Sequence, residues 1–443
     1  MEQNENKANN ENQINENDFS DTVELEVSEL PFNETREINT KGKKKSRGPR
    51  KVSLGLTIVL VLFTALFTFQ TTYVTLTAQY KLKLNEAKAT VSKFGLLLEA
   101  YELFAEKCVY DIDDENLINY MLYAFSTEDK YSSYLTPEEF DQMYMESYGN
   151  ASGLGIYVSN SDEGIRVAHI MAGSPAEAAG LQYNDCIVAV SGQRVSKIGY
   201  NEAVTLVSGE KGTDVVLTVW RDGKEIDVAV TRGDYTPETV VSSVIEENGE
   251  KLGYIRIIQF DQITVTQFKT AVEALLKEGC EKLVFDVRDN PGGELSAIVE
   301  ILDYLLPKGP IIRLLDADKN ETQRYTSDKN EVDMPMVVLT SENTASAAEL
   351  FTSALRDYEK AVIIGKTTYG KGCGQSYQAL SNGGYISITT FYYNPPFGDN
   401  YDGVGITPNI EVELPEEYQN ENLFFVPYES DTQLKAAVAY LTK

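Results

Sequence analysis

The chain has 443 residues, enough for two or three domains, and it carries 68 acidic against 39 basic side chains, a formal net charge of −29. This balance argues against nucleic acid as a partner, because binding to phosphates requires a basic surface. One histidine and four dispersed cysteines argue against a structural zinc site, whose ligands come in closely spaced pairs. The cysteines fit either separate buried thiols or disulfides formed outside a reducing compartment.

Two segments of opposite character open the chain. Residues 1–40 contain eleven acidic side chains, two basic ones and few apolar groups, which predicts a disordered tail. Seven of residues 41–51 are basic, and residues 52–80 then carry no charge. We interpret residues 52–74 as a transmembrane signal anchor at the cell membrane, with residues 1–51 cytoplasmic and the remaining body extracytoplasmic. A buried core helix and a cleaved signal peptide are the alternatives; the length of the charge-free run and the lack of a small-residue cleavage site argue against them.

The next two regions differ in their periodicity. Residues 82–147 are predicted to be helical, and Thr136, followed by Pro137 and two glutamates, is typical of a helix start. Residues 150–233 change to short β-branched runs separated by glycine turns. We therefore expect a small β-rich module after the helical region.

From residue 245 onward, buried strands alternate with amphipathic helices, which predicts a layered α/β core over residues 245–415. The predicted strands lie at 253–257, 283–287 and 336–340. Residues 416–443 are predicted to be a helical segment, with an apolar face between residues 431 and 442. That face either packs on the core of its own chain or serves a homodimer.

Two side chains of the core are candidates for catalysis. Ser346 follows the strand at 336–340 and opens a helix, where free N–H groups and the positive end of the helix dipole favour an anion. A serine nucleophile needs a base, and because His169 is the one histidine, Lys371 between two glycines is the natural candidate. The amide oxygen of Gln375 is suited to orient this lysine without adding a charge. The simpler alternatives are that Ser346 and Glu349 form a helix-capping box and that Lys371 is a solvated lysine.

Backbone N–H groups complete the predicted site. Ala347 is a candidate oxyanion donor, and either Gly292 or Gly293, after the strand at 283–287, is the second. The β-rich module contains a Gly-x-Gly-x stretch whose N–H groups are candidates for holding a peptide carboxylate; a hairpin turn is the alternative. This stretch consists of Gly153, Leu154, Gly155 and Ile156.

Taken in order, these motifs resemble those of the C-terminal processing peptidases, also called tail-specific proteases, over residues 82–443. The family's Asp-x-Tyr-Ser-x-Tyr-Leu-x-Pro-Glu-Glu-Phe segment is matched by residues 129–140 and its Asn-Pro-Gly-Gly by residues 290–293. Its PDZ motifs match residues 153–156 and 173–181, with Asp185 and Gly192. Its serine segment matches residues 344–349, its Gly-Lys-Gly-x-x-Gln matches residues 370–375, and its late Gly-Ile-x-Pro-Asp-Ile resembles residues 405–410.

The resemblance implies an α/β fold: a core related to the ClpP/crotonase fold, with an inserted β-rich PDZ domain and a helical N-terminal cap. It implies a serine endopeptidase without metal or organic cofactor, in which Ser346 attacks, Lys371 is the base and Gln375 supports it. The implied partners are protein or peptide substrates with free C-termini, recognised by the PDZ domain and cleaved near that end. The family also dimerises in many cases, which makes a homodimer one option.

The chain departs from the family in three places. Ser208 and Gly209 stand where many members have Arg-Gly in the PDZ domain, which weakens the expected recognition of a carboxylate. Asn409 replaces the aspartate of the late motif, and Cys373, between the base and Gln375, is interpreted as a small filler.

Two other functions use the same features. A catalytically inactive, PDZ-containing binding scaffold is the main alternative, and the presence of serine, lysine and glutamine together argues against it. A ligand-binding protein of the crotonase type is the second; it would have no need of Lys371 and no preference for a free peptide C-terminus.

Overall fold

The computed structural model describes residues 53–110, 113–125 and 128–443, and the chain divides into two units, Met1–Cys108 and Val109–Lys443. The predicted tail and basic block of residues 1–51 lie outside the described residues. The described part of the first unit contains helix α1 (Leu54–Lys107), which continues without a break through residue 82, where the sequence predicts the start of the cap. Within it, Gly55–Asn85 is long and apolar enough to cross a membrane, and none of its apolar window is buried.

The second unit begins with the remainder of the predicted cap. Its elements are α2 (Asp114–Phe125), β1 (Ser133–Leu135) and α3 (Pro137–Ser147). Thr136 caps α3 as predicted, because its hydroxyl accepts the Glu139 N–H (3.2 Å) while the Glu139 carboxylate accepts the Thr136 N–H (2.8 Å). Phe140 of α3 stacks on Tyr385 with ring centroids 3.6 Å apart, which attaches this part of the chain to the core.

The β-rich module is a small sheet with three short helices. Its strands are β2 (Ala151–Gly153), β3 (Ile156–Ser161), β4 (Gly164–Ile170), β5 (Cys186–Val190), β6 (Gln193–Arg194), β7 (Asp214–Arg221), β8 (Lys224–Thr231) and β9 (Gly233–Tyr235). Its helices are α4 (Pro175–Ala178), α5 (Val195–Ile198) and α6 (Tyr200–Val207). The main sheet has the order β3-β4-β5-β7-β8, with β6 against β5, while β2 pairs with β9. Strand β3 is therefore an edge strand.

The core consists of two sheets with helices. Its strands are β10 (Val240–Glu247), β11 (Glu250–Ile257), β12 (Lys282–Asp286), β13 (Gly309–Leu315), β14 (Glu321–Ser327), β15 (Met336–Thr340), β16 (Ala361–Gly365), β17 (Cys373–Ala379), β18 (Tyr385–Asn394) and β19 (Ile410–Glu411). Its helices are α7 (Gln262–Lys277), α8 (Leu295–Leu305), α9 (Ala347–Asp357) and α10 (Thr432–Leu441). The larger sheet has the order β10-β11-β12-β15-β16-β19 and is parallel from β11 onward; β10 is antiparallel. The second sheet joins β1, β18, β13 and β14, with β17 on β18.

Both faces of the larger sheet are covered, which is why its central strands are continuous apolar runs. Val338 packs with α7, α8 and α9, while its neighbours Val337 and Leu339 pack with α10 on the opposite face. The apolar face of α10 is thus buried on the chain's own sheet, one of the two arrangements that the sequence allows. Homodimer formation stays a prediction.

The parallel strands position the candidate site. Because β12, β15 and β16 run in the same direction, their carboxyl ends meet at one edge of the sheet. The turn after β12 holds residues 290–293, the turn after β15 holds Ser346, and the loop after β16 holds Lys371. Hydrogen bonds join these connections: Ala345 N–H donates to Asn290 O (2.9 Å) and Tyr369 N–H to Thr344 O (3.0 Å).

A buried ion-pair network fastens α10 to the sheet. Arg288, after β12, donates to both carboxylate oxygens of Asp286 and to both of Asp431 at the start of α10. All three side chains are nearly inaccessible, so each charge depends on its partners for solvation.

The four cysteines are free thiols, and Cys373 is buried as the filler interpretation expects.

Candidate active site

Ser346 occupies the turn between β15 and α9, directly before the first residue of the helix. Its backbone has φ +56° and ψ −120°, a conformation that costs a non-glycine residue about 1–3 kcal/mol and persists only when the surroundings hold it. The residue is half-buried and lines a cavity. A strained serine between a strand and a helix is the arrangement that exposes a hydroxyl nucleophile.

Lys371 lies in the loop between β16 and β17 and is also half-buried. Its ammonium group is 4.6 Å from the centroid of the Tyr131 ring, in the segment after α2. Burial lowers the pKa of Lys371, against the opposing charges of Cys373, Asp129 and other neighbours. A lowered pKa is the property that a lysine base requires.

Ser346, Lys371 and Gln375 line the same cavity, but within the described ranges no hydrogen bond joins any two of these side chains. Gln375 Nε2 donates to Thr389 Oγ1 (3.0 Å), and the Lys371 ammonium faces the Tyr131 ring. To act as a base for Ser346, Lys371 would therefore first have to rotate its side chain toward the serine. Such hydrogen bonds are commonly long in a free enzyme and form when substrate is bound.

Two buried residues that the sequence did not assign to the site contact both the Ser346 segment and the Lys371 segment. The Tyr393 hydroxyl donates to the Lys371 carbonyl oxygen and lies beside the Ser346 side chain; burial raises the pKa of this tyrosine. Glu349 Oε2 accepts the N–H of Ser346 (2.9 Å), as in the predicted capping box, and also the N–H of Lys371 (2.8 Å). In the sequence, the capping pattern indicated a contact between Glu349 and Ser346, whereas no pattern indicated a role for Tyr393 in β18.

The backbone beside Ser346 offers two N–H groups without an acceptor among the residues that the structure describes, those of Ala347 and Gly293. The Gly292 N–H is already used, because it donates to Asn290 Oδ1 (2.8 Å). Gly292 has φ +105°, and a Cβ atom there would lie 2.6 Å from the Ser346 Cβ. Glycine at this position thus lets the turn approach the serine closely, with the Gly293 N–H next in the chain.

The cavity that contains these groups has a volume of about 1050 Å³ and extends to the β-rich module. Ser346 and Lys371 line it on the core side, and Tyr157 of β3 and Met171 line it on the module side. Part of its apolar lining comes from α8 and α9: Leu295, Ile298, Val299 and Leu350. An extended chain therefore has a continuous path from the edge strand β3 to the serine.

Residues 153–156 form the turn from β2 into β3. The N–H groups of Leu154 and Gly155 have no acceptor in the part of the chain that the structure describes. Their carbonyl oxygens are used, since they accept from Ala176 (2.9 Å) and Met171 (3.0 Å). Two adjacent free N–H groups beside an edge strand are suited to a peptide carboxylate.

Two side chains of the module that could carry a positive charge, Arg232 and His169, already have hydrogen-bond partners within the second unit. The Arg232 guanidinium donates to the Leu206 (2.7 Å) and Val207 (3.0 Å) carbonyl oxygens at the end of α6. His169 bonds Glu238 (2.6 Å) and does not line the cavity that contains Ser346. Recognition of a carboxylate here would consequently rest on the N–H groups of residues 154–155.

No group of His, Cys, Asp or Glu suited to a metal ion occurs in the described ranges.

Comparison with known proteins assigns both domains. The profile of Peptidase family S41 matches residues 251–412, and the PDZ domain profile matches residues 152–231. A protein of Staphylococcus aureus named "Probable CtpA-like serine protease" is 34% identical over 299 residues, 67% of this chain and 59% of that protein. The Staphylococcus epidermidis protein of the same name is 33% identical over 300 residues, 67% of this chain and 60% of its own. The chain thus spans about three fifths of the length of these relatives.

A solved structure from Bacteroides fragilis, named as an S41 protease, has the same fold with a TM-score of 0.53 at 19% identity; the match covers 75% of this chain and 91% of that one. The family profile covers β11 through β19, which includes Ser346, Lys371 and Gln375. The PDZ profile covers the β-rich module. The chain therefore carries a peptidase domain of family S41 over residues 251–412, preceded by a PDZ domain over residues 152–231.

Proposed function

We propose that this chain is a membrane-anchored serine endopeptidase that uses a Ser346–Lys371 dyad and cleaves exported or membrane proteins near their C-termini. The observation that carries the proposal is the shared cavity: Ser346, Lys371 and Gln375 line it together with Ala347 and Gly293, whose N–H groups have no acceptor among the described residues. The relation of the core to the ClpP/crotonase fold remains a prediction of the resemblance.

The proposed reaction is acyl transfer through the serine. Ser346 Oγ forms a bond to the scissile carbonyl carbon while the neutral Lys371 amine takes its proton. The N–H groups of Ala347 and Gly293 donate to the oxyanion, and Lys371 then returns the proton to the leaving amine as the C–N bond breaks. Water next attacks the carbonyl carbon of the acyl-enzyme while Lys371 accepts a proton from it. The ester bond to Ser346 Oγ then breaks, Lys371 returns the proton to that oxygen, and the carboxylic acid product leaves. Gln375 uses its Nε2 to donate to Thr389 Oγ1, and its amide oxygen is the group that would accept from Lys371.

Substrate binding is proposed to begin at the PDZ domain. A peptide that adds to the free edge of β3 would place its terminal carboxylate near the N–H groups of Leu154 and Gly155. The cavity between Tyr157 and Ser346 would then receive the chain to be cleaved. The free C-terminus is the feature that this arrangement recognises.

The membrane anchor is proposed to be the apolar part of α1. Gly55–Asn85 has the length and composition of a membrane-spanning helix, and the basic residues 41–51 precede it. Basic residues favour the cytoplasmic side, so residues 1–51 would be cytoplasmic and the peptidase domain extracytoplasmic. No metal or organic cofactor is needed, because nucleophile, base and oxyanion donors all come from the chain.

The proposal is tested with the full chain in detergent micelles. The substrates are unfolded casein and two peptides of one sequence with an apolar end, one with a free C-terminus and one amidated. Ser346→Ala and Lys371→Ala are compared with two matched controls. Ser341→Ala removes a nearby serine that bonds Asp289, and Lys366→Ala removes a lysine of the same loop that pairs with Glu413.

Cleavage by the wild type and both controls, its loss in both dyad variants, and preference for the free C-terminus are the expected results. Cleavage that survives in Ser346→Ala or Lys371→Ala would exclude the dyad. If the wild type binds the free peptide more tightly than the amidated one but cleaves neither, the chain is a binding scaffold.

A further inference from the structure

Glu349, in the first turn of α9, is a fully buried carboxylate, with 0% of its surface exposed. Acidic side chains are almost never buried to this degree unless they are paired, because removing the charge from water is unfavourable. The sequence pattern explains only a contact to Ser346, as in a helix cap. The remaining contacts therefore need another account.

Four hydrogen bonds surround this carboxylate. Oε2 accepts the N–H of Ser346 (2.9 Å) and the N–H of Lys371 (2.8 Å). Oε1 accepts the N–H of Gly370 (2.7 Å) and the hydroxyl of Thr368 (2.5 Å). Three donors come from the loop after β16 and one from the turn before α9. The hydrogen bonds stabilise the ionised carboxylate, whereas burial raises the pKa of Glu349.

One oxygen atom thus joins the backbone of the nucleophile to the backbone of the base. The two nitrogen atoms of Ser346 and Lys371 are held within the span of two hydrogen bonds to Glu349 Oε2. The bond to Ser346 also restrains a residue whose positive φ is intrinsically unfavourable. Ser346 and Lys371 come from separate connections of the sheet, so this contact is a direct link between them.

We propose that Glu349 is the positioning residue of the dyad, fixing the Ser346 turn against the Lys371 loop so that rotation of the lysine side chain alone completes the site. This inference rests on the proposed Ser–Lys mechanism. Glu349 contacts backbone N–H groups and not the reacting atoms, so its role is to hold the geometry. Misplacement of reacting groups by about 1 Å lowers rates about 100-fold.

The charge of Glu349 provides a second, separable effect. Burial lowers the pKa of Lys371, whereas the charges of Cys373, Asp129, Tyr369 and Glu349 raise it. Replacing Glu349 by glutamine removes a charge that raises the pKa of Lys371, so the lysine deprotonates at lower pH. The alkaline limb of the rate profile, which is the rise in rate that accompanies this deprotonation, then moves to lower pH. Aspartate keeps the charge but is shorter, so it is expected to lower the rate with the limb unmoved.

The Ser346 and Lys371 loops face other groups that titrate or carry charge, and these stay constant in the comparison. The Tyr131 ring lies beside Lys371 and also contacts the Lys130 ammonium, and the buried Tyr393 hydroxyl lies beside Ser346. Neither Glu349 variant changes them. A displaced pH limb in the glutamine variant alone is therefore assigned to the lost charge.

The test is a double-mutant cycle on the full chain in micelles. The rate of labelling of Ser346 by a fluorophosphonate, and kcat and KM for the free-C-terminus peptide, are measured for the wild type and for Glu349→Gln. Labelling is then measured for Lys371→Ala and for the double variant. We expect Glu349→Gln to lower kcat and the labelling rate about 100-fold with KM little changed, and to add almost nothing in the Lys371→Ala background. Equal fold-losses in both backgrounds, or a loss below threefold in the wild type, would overturn the proposal.

Hydrogen exchange separates this inference from the proposed function. In Glu349→Gln and Glu349→Asp, peptides covering residues 344–349 and 368–372 are expected to exchange faster together, whether or not the wild type cleaves. Asp402→Asn is the matched control, because Asp402 accepts the Gly372 N–H (2.9 Å) and does not contact Ser346. Unchanged exchange at both segments in folded Glu349 variants would show that Glu349 does not hold them. A wild type without any cleavage would refute the mechanism instead.

Discussion

Replacing Tyr131 by leucine is expected to move the alkaline limb of the rate profile down by about half a pH unit. The Lys371 ammonium lies 4.6 Å from the centroid of this ring, and the Lys130 ammonium lies 4.5 Å from it. A ring face stabilises a cation by about 0.5–1 kcal/mol where the cation is partly exposed, as both lysines are here. One pH unit corresponds to 1.36 kcal/mol, so losing this contact lowers the pKa of Lys371 by about 0.4–0.7.

Whether the pKa of Lys371 falls or rises depends on which property of the ring is lost. The ring face favours the ammonium and raises the pKa of Lys371, whereas the bulk of the ring helps to exclude water and lowers it. Leucine keeps an apolar body at the position and removes the ring face. Tyr131→Phe keeps both, so it is the matched control and is expected to leave the limb in place.

The measurement is kcat/KM for the free-C-terminus peptide at intervals from about pH 6 to pH 10, which reports ionisations of the free enzyme. Labelling of Ser346 by a fluorophosphonate over the same range provides a second profile without substrate binding. A limb that moves to higher pH in Tyr131→Leu would show that the ring acts through burial. A limb displaced equally in Tyr131→Phe would assign the effect to the hydroxyl and refute the argument.

Three further substitutions test other parts of the structure. Arg288→Met leaves two buried carboxylates without their cation and is expected to destabilise the fold by about 3–5 kcal/mol, measured as a lower urea midpoint with the slope unchanged. Gly292→Ala places a methyl group 2.6 Å from the Ser346 Cβ at a positive φ, so peptide cleavage should fall at least as far as in other site variants while PDZ binding of the peptide persists. Gln375→Glu adds a charge that raises the pKa of Lys371, so activity at pH 7 should fall and return at higher pH; a profile that does not move would contradict it.

Much of the core follows from the sequence because its signals are local. The strand predicted at 336–340 agrees with β15, and the strand at 283–287 agrees with β12 to one residue, since apolar runs of this length bounded by turns are typical of buried strands. Parallel strands bring their carboxyl ends together, which explains why motifs separated along the chain meet at one edge. The helix start at Thr136 was predicted for the same reason, because the capping residues are adjacent in sequence.

The details of the site depend on contacts between distant segments, and there the sequence was insufficient. It left Gly292 and Gly293 as equal candidates, and the difference arises from one hydrogen bond to the Asn290 side chain. It interpreted Glu349 from a four-residue pattern, whereas three of the four donors come from a loop about twenty residues away. The continuity of α1 was also missed, because a change from apolar to charged residues does not by itself end a helix.

A buried anion beside the proposed lysine base is at first sight unfavourable, because it stabilises the protonated lysine. The geometry reduces this effect: four donors saturate the Glu349 carboxylate, and the N-terminal end of α9 adds its own positive dipole. Its charge is also the last of the four causes that raise the pKa of Lys371. Loss of dyad geometry lowers a rate about 100-fold, equivalent to about 2.7 kcal/mol, which exceeds the effect of a limb displaced by one pH unit. Retaining the carboxylate is therefore favourable when it positions the dyad, and a neutral acceptor with fewer lone pairs could not bind the same four donors.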